Sequence, residues 1–291
     1  LIAIIKLYME EFMDKKILTI QDISGVGQCS LAVALPIISC FGLETCVIPT
    51  AVLSTHTAFK DFTFKDLHDD ISSISDHYQK EKIYFDTIYT GYLGNKKQIS
   101  LIESIFHKNI AKKGKIIVDP VMADNGKLYT GFSDDFPKEI KKLCLCADVI
   151  IPNITEACLL TNEKYKDKYD QEYIENILYK LKDAGMKNIV LTGVSFSKNK
   201  LGVATYNHIT KKISYYFTKK HPLISHGTGD IFASCFCGAY SINKSLEESA
   251  ALAADFTSNC VKNTLSDKKH WYGVHFEEKL PYLINKIKKL K

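Results

Sequence analysis

The hydrophobic positions of the chain fall into short apolar runs that alternate with longer amphipathic segments. Runs rich in β-branched residues predict strands, whereas apolar residues that recur every three or four positions predict helices. The predicted strands are 16–21, 45–53, 85–90, 115–119, 148–151, 188–192, 201–206 and 212–217. The predicted helices are 30–41, 64–82, 95–112, 137–144, 155–160, 171–184, 231–239, 246–264 and 276–290. This alternation favours an α/β fold with a mostly parallel sheet covered on both faces.

Polar or glycine-rich clusters follow the predicted strands and do not precede them. In sheets of this kind, ligands bind at the carboxyl ends of the strands. The clusters are 22–27, 54–57, 91–94, 119–124, 153–156 and 192–193. We therefore expect them to share one edge of the sheet, together with Asp230.

The stretch 226–234, His-Gly-Thr-Gly-Asp-Ile-Phe-Ala-Ser, carries the sharpest chemical signal. Gly227 and Gly229 let the backbone approach a ligand closely. The first N–H groups of the following helix then form a site for phosphate. Asp230 lies in this rim, where a carboxylate could accept a proton from an alcohol that attacks a phosphoryl group. The pairing indicates a small-molecule kinase, although a plain turn before a helix with an acidic first turn explains the same residues without chemistry.

Two further motifs carry carboxylates, and each has a structural explanation beside the functional one. Asn153 and Glu156 are three residues apart at a helix start, which is typical of a capping box; the functional reading places Glu156 near Mg²⁺, through water. Asp119 and Asp124 bracket a Pro-Val-Met-Ala turn and form either a turn or a site for Mg²⁺ or a monovalent cation such as K⁺.

Other nucleotide-binding patterns fit poorly. Gly25 and Gly27 follow the first strand like the start of a dinucleotide fingerprint, but Ser30 stands where the third glycine belongs. Glu44 precedes the second strand, so it does not supply the expected carboxylate at a strand end. The sequence also lacks a P-loop motif and the H-R-D and D-F-G sets of protein kinases.

Composition narrows the protein class. Hydrophobic residues make up 46% and charged residues 24%, as in soluble globular domains. The net charge of +5 is spread over many lysines and the densest run, 286–291, is typical of a solvated helix tail, so no nucleic-acid partner is expected. Nine cysteines without C-x-x-C spacing predict reduced core thiols in the cytoplasm. Residues 1–13 are expected to form an extension or a peripheral helix before a single domain at 14–291, with no membrane span.

Six ordered motifs relate the chain to a known family. They are Ile20-Gln21-Asp22, Ser54-Thr55-His56-Thr57, Gly91-Tyr92-Leu93-Gly94, Asp119-Pro120-Val121-Met122-Ala123-Asp124, Asn153-Ile154-Thr155-Glu156 and Gly227-Thr228-Gly229-Asp230. With these motifs, residues 16–264 resemble the ribokinase-like superfamily and, within it, the pyridoxal (pyridoxine, pyridoxamine) kinases. The resemblance implies a three-layer α/β/α fold, Mg²⁺-dependent transfer of the ATP γ-phosphoryl group to the 5′-hydroxymethyl group of a vitamin B6 vitamer, and a homodimer.

The resemblance also implies roles for individual residues. Asp230 would be the catalytic base, and the backbone of Gly227, Thr228 and Gly229 would form the anion hole. The residues implied to bind Mg-ATP are Asp119, Asn153, Glu156, Thr192, Thr228 and Gly229, with Asp119 and Glu156 at the metal. The residues implied to contact the vitamin are Asp22, Val52, His56, Thr57, Tyr92 and Asp230.

One departure leaves the acceptor open. Many members of the family carry Ser where this chain has Asp22, so the contact to the ring hydroxyl or the ring nitrogen is not defined. Hydroxymethylpyrimidine kinases of thiamine synthesis share the Gly-Thr-Gly-Asp motif and form the first alternative. Their glycine-rich opening is only partly matched by residues 22–25. A non-catalytic vitamer-binding paralogue is the second alternative, and the presence of Asp230 and both motif glycines disfavours it.

Overall fold

The computed structural model describes residues 15–222, 226–267 and 269–290. The predicted extension at residues 1–13 lies outside the described residues. No helix among the described residues is both long enough and apolar enough to cross a membrane.

Strands and helices alternate along most of the chain. The strands are β1 (Lys16–Val26), β2 (Glu44–Thr55), β3 (Phe64–Asp66), β4 (Phe85–Thr90), β5 (Ile110–Val118), β6 (Ala123–Asp124), β7 (Lys127–Leu128), β8 (Val149–Ile150), β9 (Asn188–Ser197), β10 (Lys200–Tyr206) and β11 (Ile213–Lys219). The helices are α1 (Ser30–Ser39), α2 (His68–Lys80), α3 (Lys96–Asn109), α4 (Phe136–Cys146), α5 (Ile154–Thr161), α6 (Gln171–Asp183), α7 (Thr228–Ser241), α8 (Leu246–Thr264) and α9 (Leu280–Leu290). A 3₁₀ turn at Glu277–Lys279 precedes α9.

The described strands form one large sheet with the order β11-β10-β9-β8-β5-β4-β1-β2-β3. The six strands from β2 to β9 in this order pair in parallel, whereas β3 and the β10–β11 hairpin pair antiparallel. The chain passes from β1 to β2 on one side and later returns to β4 on the other side of β1. Such a reversal opens a crevice at the carboxyl ends of the two strands. The mostly parallel α/β fold predicted from the sequence is confirmed.

Two apolar cores hold helices on opposite faces of the sheet. One core contains Ile71 of α2, Ile99 of α3 and Ile177 of α6, all nearly inaccessible to solvent. The other contains apolar residues of α1, α7, α8 and α9, including Phe236 and Phe256. Burying both sheet faces removes apolar surface from water along the whole sheet, and this gives the three layers that the family resemblance implied.

Helix α7 is fixed closely against its neighbours. A Cβ atom at Gly238 would lie 2.2 Å from Cδ2 of Phe41, so the helix backbone rests directly on that ring. At the end of α7, the Ser241 and Thr87 hydroxyl oxygens are 2.8 Å apart, which ties the helix to β4. The N-terminus of α7 therefore has a defined position at the carboxyl edge of the sheet.

Some predicted boundaries are wrong. The predicted helix 64–82 begins only at His68, because Phe64 pairs with Leu53 in an antiparallel edge strand and Asp66 Oδ1 accepts the His68 N–H at 2.8 Å. The sequence analysis predicts no strand between 119 and 148, whereas β6 and β7 form a short hairpin there. The strand predicted to end at residue 192 continues through Gly193, whose φ is +79°. The edge strand at Phe64 depends on its pairing with β2, which residue type alone does not report.

We expect Gly238→Ala to lower the free energy of unfolding by about 1–3 kcal/mol, because the added methyl group overpacks the contact with Phe41. Gly229→Ala is the matched control in the same helix, since a Cβ there meets nothing within 4 Å. Denaturant unfolding of both variants measures the difference. Equal losses would show that α7 is not packed as described.

Candidate active site

Hydrogen bonds between neighbouring strand ends bring the predicted clusters to one edge of the sheet. These bonds run from Gly91 N–H to Ile20 O at 3.1 Å, from Asp119 N–H to Thr90 O at 3.0 Å, from Ile151 N–H to Val118 O at 2.9 Å and from Thr192 N–H to Pro152 O at 2.9 Å. The side chains that follow these strand ends face a common region, as the sequence predicts for parallel neighbours.

The two motif glycines at the start of α7 are needed for different reasons. Gly227 has φ of +82°, and a Cβ atom there would lie 1.6 Å from the Gln28 carbonyl oxygen, so the motif rests on the loop between β1 and α1. Gly229 is exposed, and a Cβ atom there would enter open space. Its missing side chain leaves room beside the first turn of α7, where helix N–H groups favour an anion.

Asp230 lies in this first turn and is partly buried. Burial is the main cause that raises the pKa of its carboxyl group to about 7, and the nearby charge of Asp22 raises it further. The backbone N–H of Ser30 opposes the rise by stabilising the ionised form. A carboxyl group with this pKa can take up or release a proton near neutral pH.

Asp22 and Ser30 lie next to Asp230 and are hydrogen-bonded to each other. The Asp22 carboxylate accepts hydrogen bonds from Ser30 Oγ at 2.5 Å and from Ser24 Oγ at 3.1 Å, and only 4% of the residue is exposed. Burial raises the pKa of Asp22, and the two hydroxyl groups oppose that rise. The strand pairing of β1 shifts register between Gln21 and Ile23, so Asp22 sits at an irregularity of the strand.

Ser30 is a site residue that the sequence reasoning missed. Its hydroxyl group binds Asp22 while its N–H lies near Asp230, so it bridges the two carboxylates. It has φ of +51°, a left-handed conformation that costs a non-glycine residue about 1–3 kcal/mol. The signal was the serine at the third position of an imperfect glycine fingerprint.

The other residues predicted to contact the vitamin differ in their surroundings. His56 is buried and its Nε2 lies 2.7 Å from the Tyr272 carbonyl oxygen. Tyr92 is partly buried, and burial followed by the charge of Asp22 raises its pKa. Asp22 therefore interacts electrostatically with both His56 and Tyr92. Val52 and Thr57 have exposed side chains on and just after β2.

The capping box predicted at Asn153 and Glu156 is confirmed. Asn153 Oδ1 accepts the Glu156 N–H at 3.0 Å, and Glu156 Oε2 accepts the Asn153 N–H at 2.9 Å. Glu156 Oε1 also accepts the Met122 N–H at 3.1 Å, which links α5 to the turn after β5. Thr192 and Asn153 form an isolated parallel β-bridge. The Thr192 hydroxyl group donates a hydrogen bond to the Pro152 carbonyl oxygen at 3.4 Å.

Asp119, Glu156 and Asp230 bring three carboxyl groups together at this edge. Burial raises the pKa of Asp119, and the charges of Glu156 and Asp230 raise it further. Burial also raises the pKa of Glu156, against the effect of three backbone N–H groups. None of the salt bridges between described residues involves these carboxylates. Oxygen donors crowded in this way fit a hard divalent cation such as Mg²⁺, whose charge would offset their repulsion.

Comparison with known proteins places the site in a family. The family model described as phosphomethylpyrimidine kinase matches residues 41–275. The pyridoxal kinase of Dictyostelium discoideum is 25% identical over 280 residues, which cover 88% of this chain and 89% of the relative. The hydroxymethylpyrimidine/phosphomethylpyrimidine kinase of Bacillus subtilis is 27% identical over 237 residues, which cover 77% and 80%.

Solved structures show the same fold. A Bacteroides thetaiotaomicron protein assigned as a phosphomethylpyrimidine kinase, in a crystal form with pyridoxal, has a TM-score of 0.88 and 34% identity, covering 94% of this chain and 96% of its own. The pyridoxal kinase of Lactobacillus plantarum has a TM-score of 0.86 and 28% identity, covering 94% and 98%.

Proposed function

We propose, for a chain that belongs to the phosphomethylpyrimidine kinase family, that the phosphoryl acceptor is a vitamin B6 vitamer. The chain is a kinase of the ribokinase-like superfamily, and both pyridoxal kinases and hydroxymethylpyrimidine kinases are among its relatives. The proposed reaction transfers the γ-phosphoryl group of ATP to the 5′-hydroxymethyl group of pyridoxal, pyridoxine or pyridoxamine.

The observation that carries this proposal is the buried Asp22 carboxyl group, which lies within electrostatic reach of Tyr92, His56 and Asp230. A vitamer ring offers a phenolic O–H and a ring N–H, and a carboxylate can accept a hydrogen bond from either. The neighbour with 34% identity, whose crystal form contains pyridoxal, supports the same ligand class here.

The arrangement suggests how the chain's own residues act. The acceptor oxygen forms a bond to the γ-phosphorus, and the bond from that phosphorus to the bridging oxygen of ADP breaks. Asp230 takes the proton from the acceptor hydroxyl group, a role that suits a pKa of about 7. The first-turn N–H groups of α7, at Thr228 and Gly229, would stabilise the charge on the transferred group.

Asp119 and Glu156 are proposed to hold Mg²⁺, with Glu156 acting through water. At this position Mg²⁺ would neutralise charge on the phosphate oxygens of ATP. Thr192, next to Asn153 in the sheet, is proposed to contact the phosphates. The monovalent cation, the homodimer and the cytoplasmic location stay predictions.

Hydroxymethylpyrimidine kinase is the second candidate function. It is favoured by the description of the matching family model and by the Bacillus subtilis relative. A pyrimidine with an amino group would also donate a hydrogen bond to Asp22. A non-catalytic paralogue is disfavoured because Asp230 sits at the helix N-terminus beside the open space at Gly229.

The acceptor is tested by a substrate panel. We expect the purified chain, with ATP and MgCl₂, to turn over at least one B6 vitamer with kcat/KM at least ~10-fold above hydroxymethylpyrimidine, since one mismatched polar contact costs about 1–3 kcal/mol. ADP release measures turnover. Turnover of hydroxymethylpyrimidine alone would assign the chain to thiamine synthesis, and vitamer binding without turnover would support the paralogue.

The catalytic base is tested by Asp230→Asn, which keeps the shape of the side chain and removes the proton acceptor. We expect kcat to fall by roughly 10²–10⁴. The dissociation constants of vitamer and nucleotide should change far less, because the lost interaction acts in the transition state. Asp69→Asn, an exposed position on α2, is the control. A kcat near that of the wild type would refute the mechanism.

The role of Glu156 is tested against a second capping box. Glu248 forms the same motif with Ser245 at the start of α8, but it is exposed and outside the site. We expect Glu248→Gln to change stability little, because Gln can replace Glu in a capping box. Glu156→Gln should lose more, because one of its two accepting oxygens becomes an amide nitrogen. Only Glu156→Gln should also raise the Mg²⁺ concentration needed for half-maximal rate. Normal Mg²⁺ dependence in Glu156→Gln would restrict this residue to capping.

A further inference from the structure

Asp267, His270 and His275 form a cluster in the segment between α8 and the 3₁₀ turn, apart from the carboxylates described above. His270 Nδ1 lies 3.0 Å from His275 Nε2, and His275 Nε2 lies 3.1 Å from Asp267 Oδ2. One ligand atom from each residue lies within 4.8 Å of the others. His270 is 8% exposed, so most of this imidazole has left water.

Protons alone do not satisfy this arrangement. His275 Nε2 carries at most one hydrogen, yet both His270 Nδ1 and Asp267 Oδ2 lie at hydrogen-bond distance from it. Without that hydrogen, the lone pair of Nε2 faces the Asp267 carboxylate. A cation that takes the lone pairs of His270 Nδ1, His275 Nε2 and Asp267 Oδ2 therefore suits the cluster better than a shared proton.

We propose that Asp267, His270 and His275 bind a divalent transition-metal ion of the Zn²⁺ class. Two imidazole nitrogens and one carboxylate oxygen are ligands that Zn²⁺ takes, with a fourth position left for water. Tetrahedral Zn²⁺ separates its nitrogen and oxygen ligands by roughly 3.3 Å. The 3.0 and 3.1 Å pairs would open slightly, and the third pair, which lies within 4.8 Å, would settle at the same separation. Mg²⁺ prefers oxygen ligands and does not fit this set.

The residues between the two histidines connect the cluster to the acceptor side of the site. The Tyr272 carbonyl oxygen lies 2.7 Å from His56 Nε2, and the Tyr272 ring centroid lies 4.1 Å from that of His270. A Cβ atom at Gly273 would lie 2.4 Å from Gln28, whose carbonyl oxygen supports Gly227. The ring centroids of Trp271 and Phe59 are 4.6 Å apart. A metal ion would therefore hold this segment against the loop after β2, which contains His56 and Phe59, and against the loop after β1, which contains Gln28.

The metal site is tested by titrating the chelator-treated full chain with ZnCl₂, with MgCl₂ present to occupy oxygen sites. Calorimetry should show one tight site per chain, and Co²⁺ in its place should give the visible absorption of a low-symmetry site. Asp267→Asn combined with His275→Gln should abolish this site, whereas His107→Gln, an exposed histidine on α3, should retain it.

Two outcomes would overturn the proposal: no stoichiometric binding by the wild type, or binding that persists in the double variant, which would place the ion on cysteine thiolates or elsewhere. If the double variant does not fold, Asp267→Asn alone decides, because Asn keeps the acceptor for the Lys269 N–H. That single variant should weaken Zn²⁺ binding at least ~10-fold, because even losing a residue that only supports a metal ligand costs about 10–100-fold.

The effect on the acceptor rests on the proposed function and is measured separately. Zn²⁺ should tighten vitamer binding by about fivefold in the wild type and not in the double variant, at the low end of typical coupling between sites. Zn²⁺ binding without this change would keep the metal site and remove its link to the acceptor. Because the metal titration contains no substrate, its failure is distinguishable from a failure of the kinase proposal.

Discussion

Crowding of buried carboxylates at the carboxyl edge of the sheet is the constraint on which the rest of the site depends. Asp22, Asp119, Glu156 and Asp230 come from four different segments, and each has a raised pKa with burial as the main cause. Burying charge in this way opposes folding unless hydrogen bonds or a cation offset it. The two apolar cores supply the stability that such an arrangement requires.

Hydrogen bonds from the surrounding structure lower the free-energy cost of burying these carboxylates, and they differ from one carboxylate to the next. Glu156 draws backbone N–H groups from its own capping box and from the turn after β5. Asp22 draws two serine hydroxyl groups, one of them from Ser30 in a strained backbone conformation. The side chain of Asp119 accepts no hydrogen bond from the described residues, so its burial is the least compensated of the four. A residue held in a strained conformation between two carboxylates is typical of sites where strain serves function.

The sequence predicted the elements whose signals are local. Apolar runs located the parallel strands, and their order placed the Gly-Thr-Gly-Asp motif beside the strand ends. The edge strand at Phe64 was missed because only its pairing with Leu53 distinguishes it from a helix start. The hydrogen bond between His56 Nε2 and the Tyr272 carbonyl oxygen joins residues 216 positions apart, so no local pattern reports it. Ser30 was missed because its role comes from a backbone angle, which the residue type does not reveal.

The central claim is that burial and the charge of Asp22 together give Asp230 a pKa suited to accept a proton at neutral pH. A ¹³C NMR titration of the Asp230 carboxyl group, assigned by its loss in Asp230→Asn, tests this directly. The account predicts a midpoint at about 7 in the wild type and a lower midpoint in Asp22→Asn. A midpoint near the ordinary value of 3.8 in the wild type, or one that does not move when Asp22 loses its charge, would contradict it.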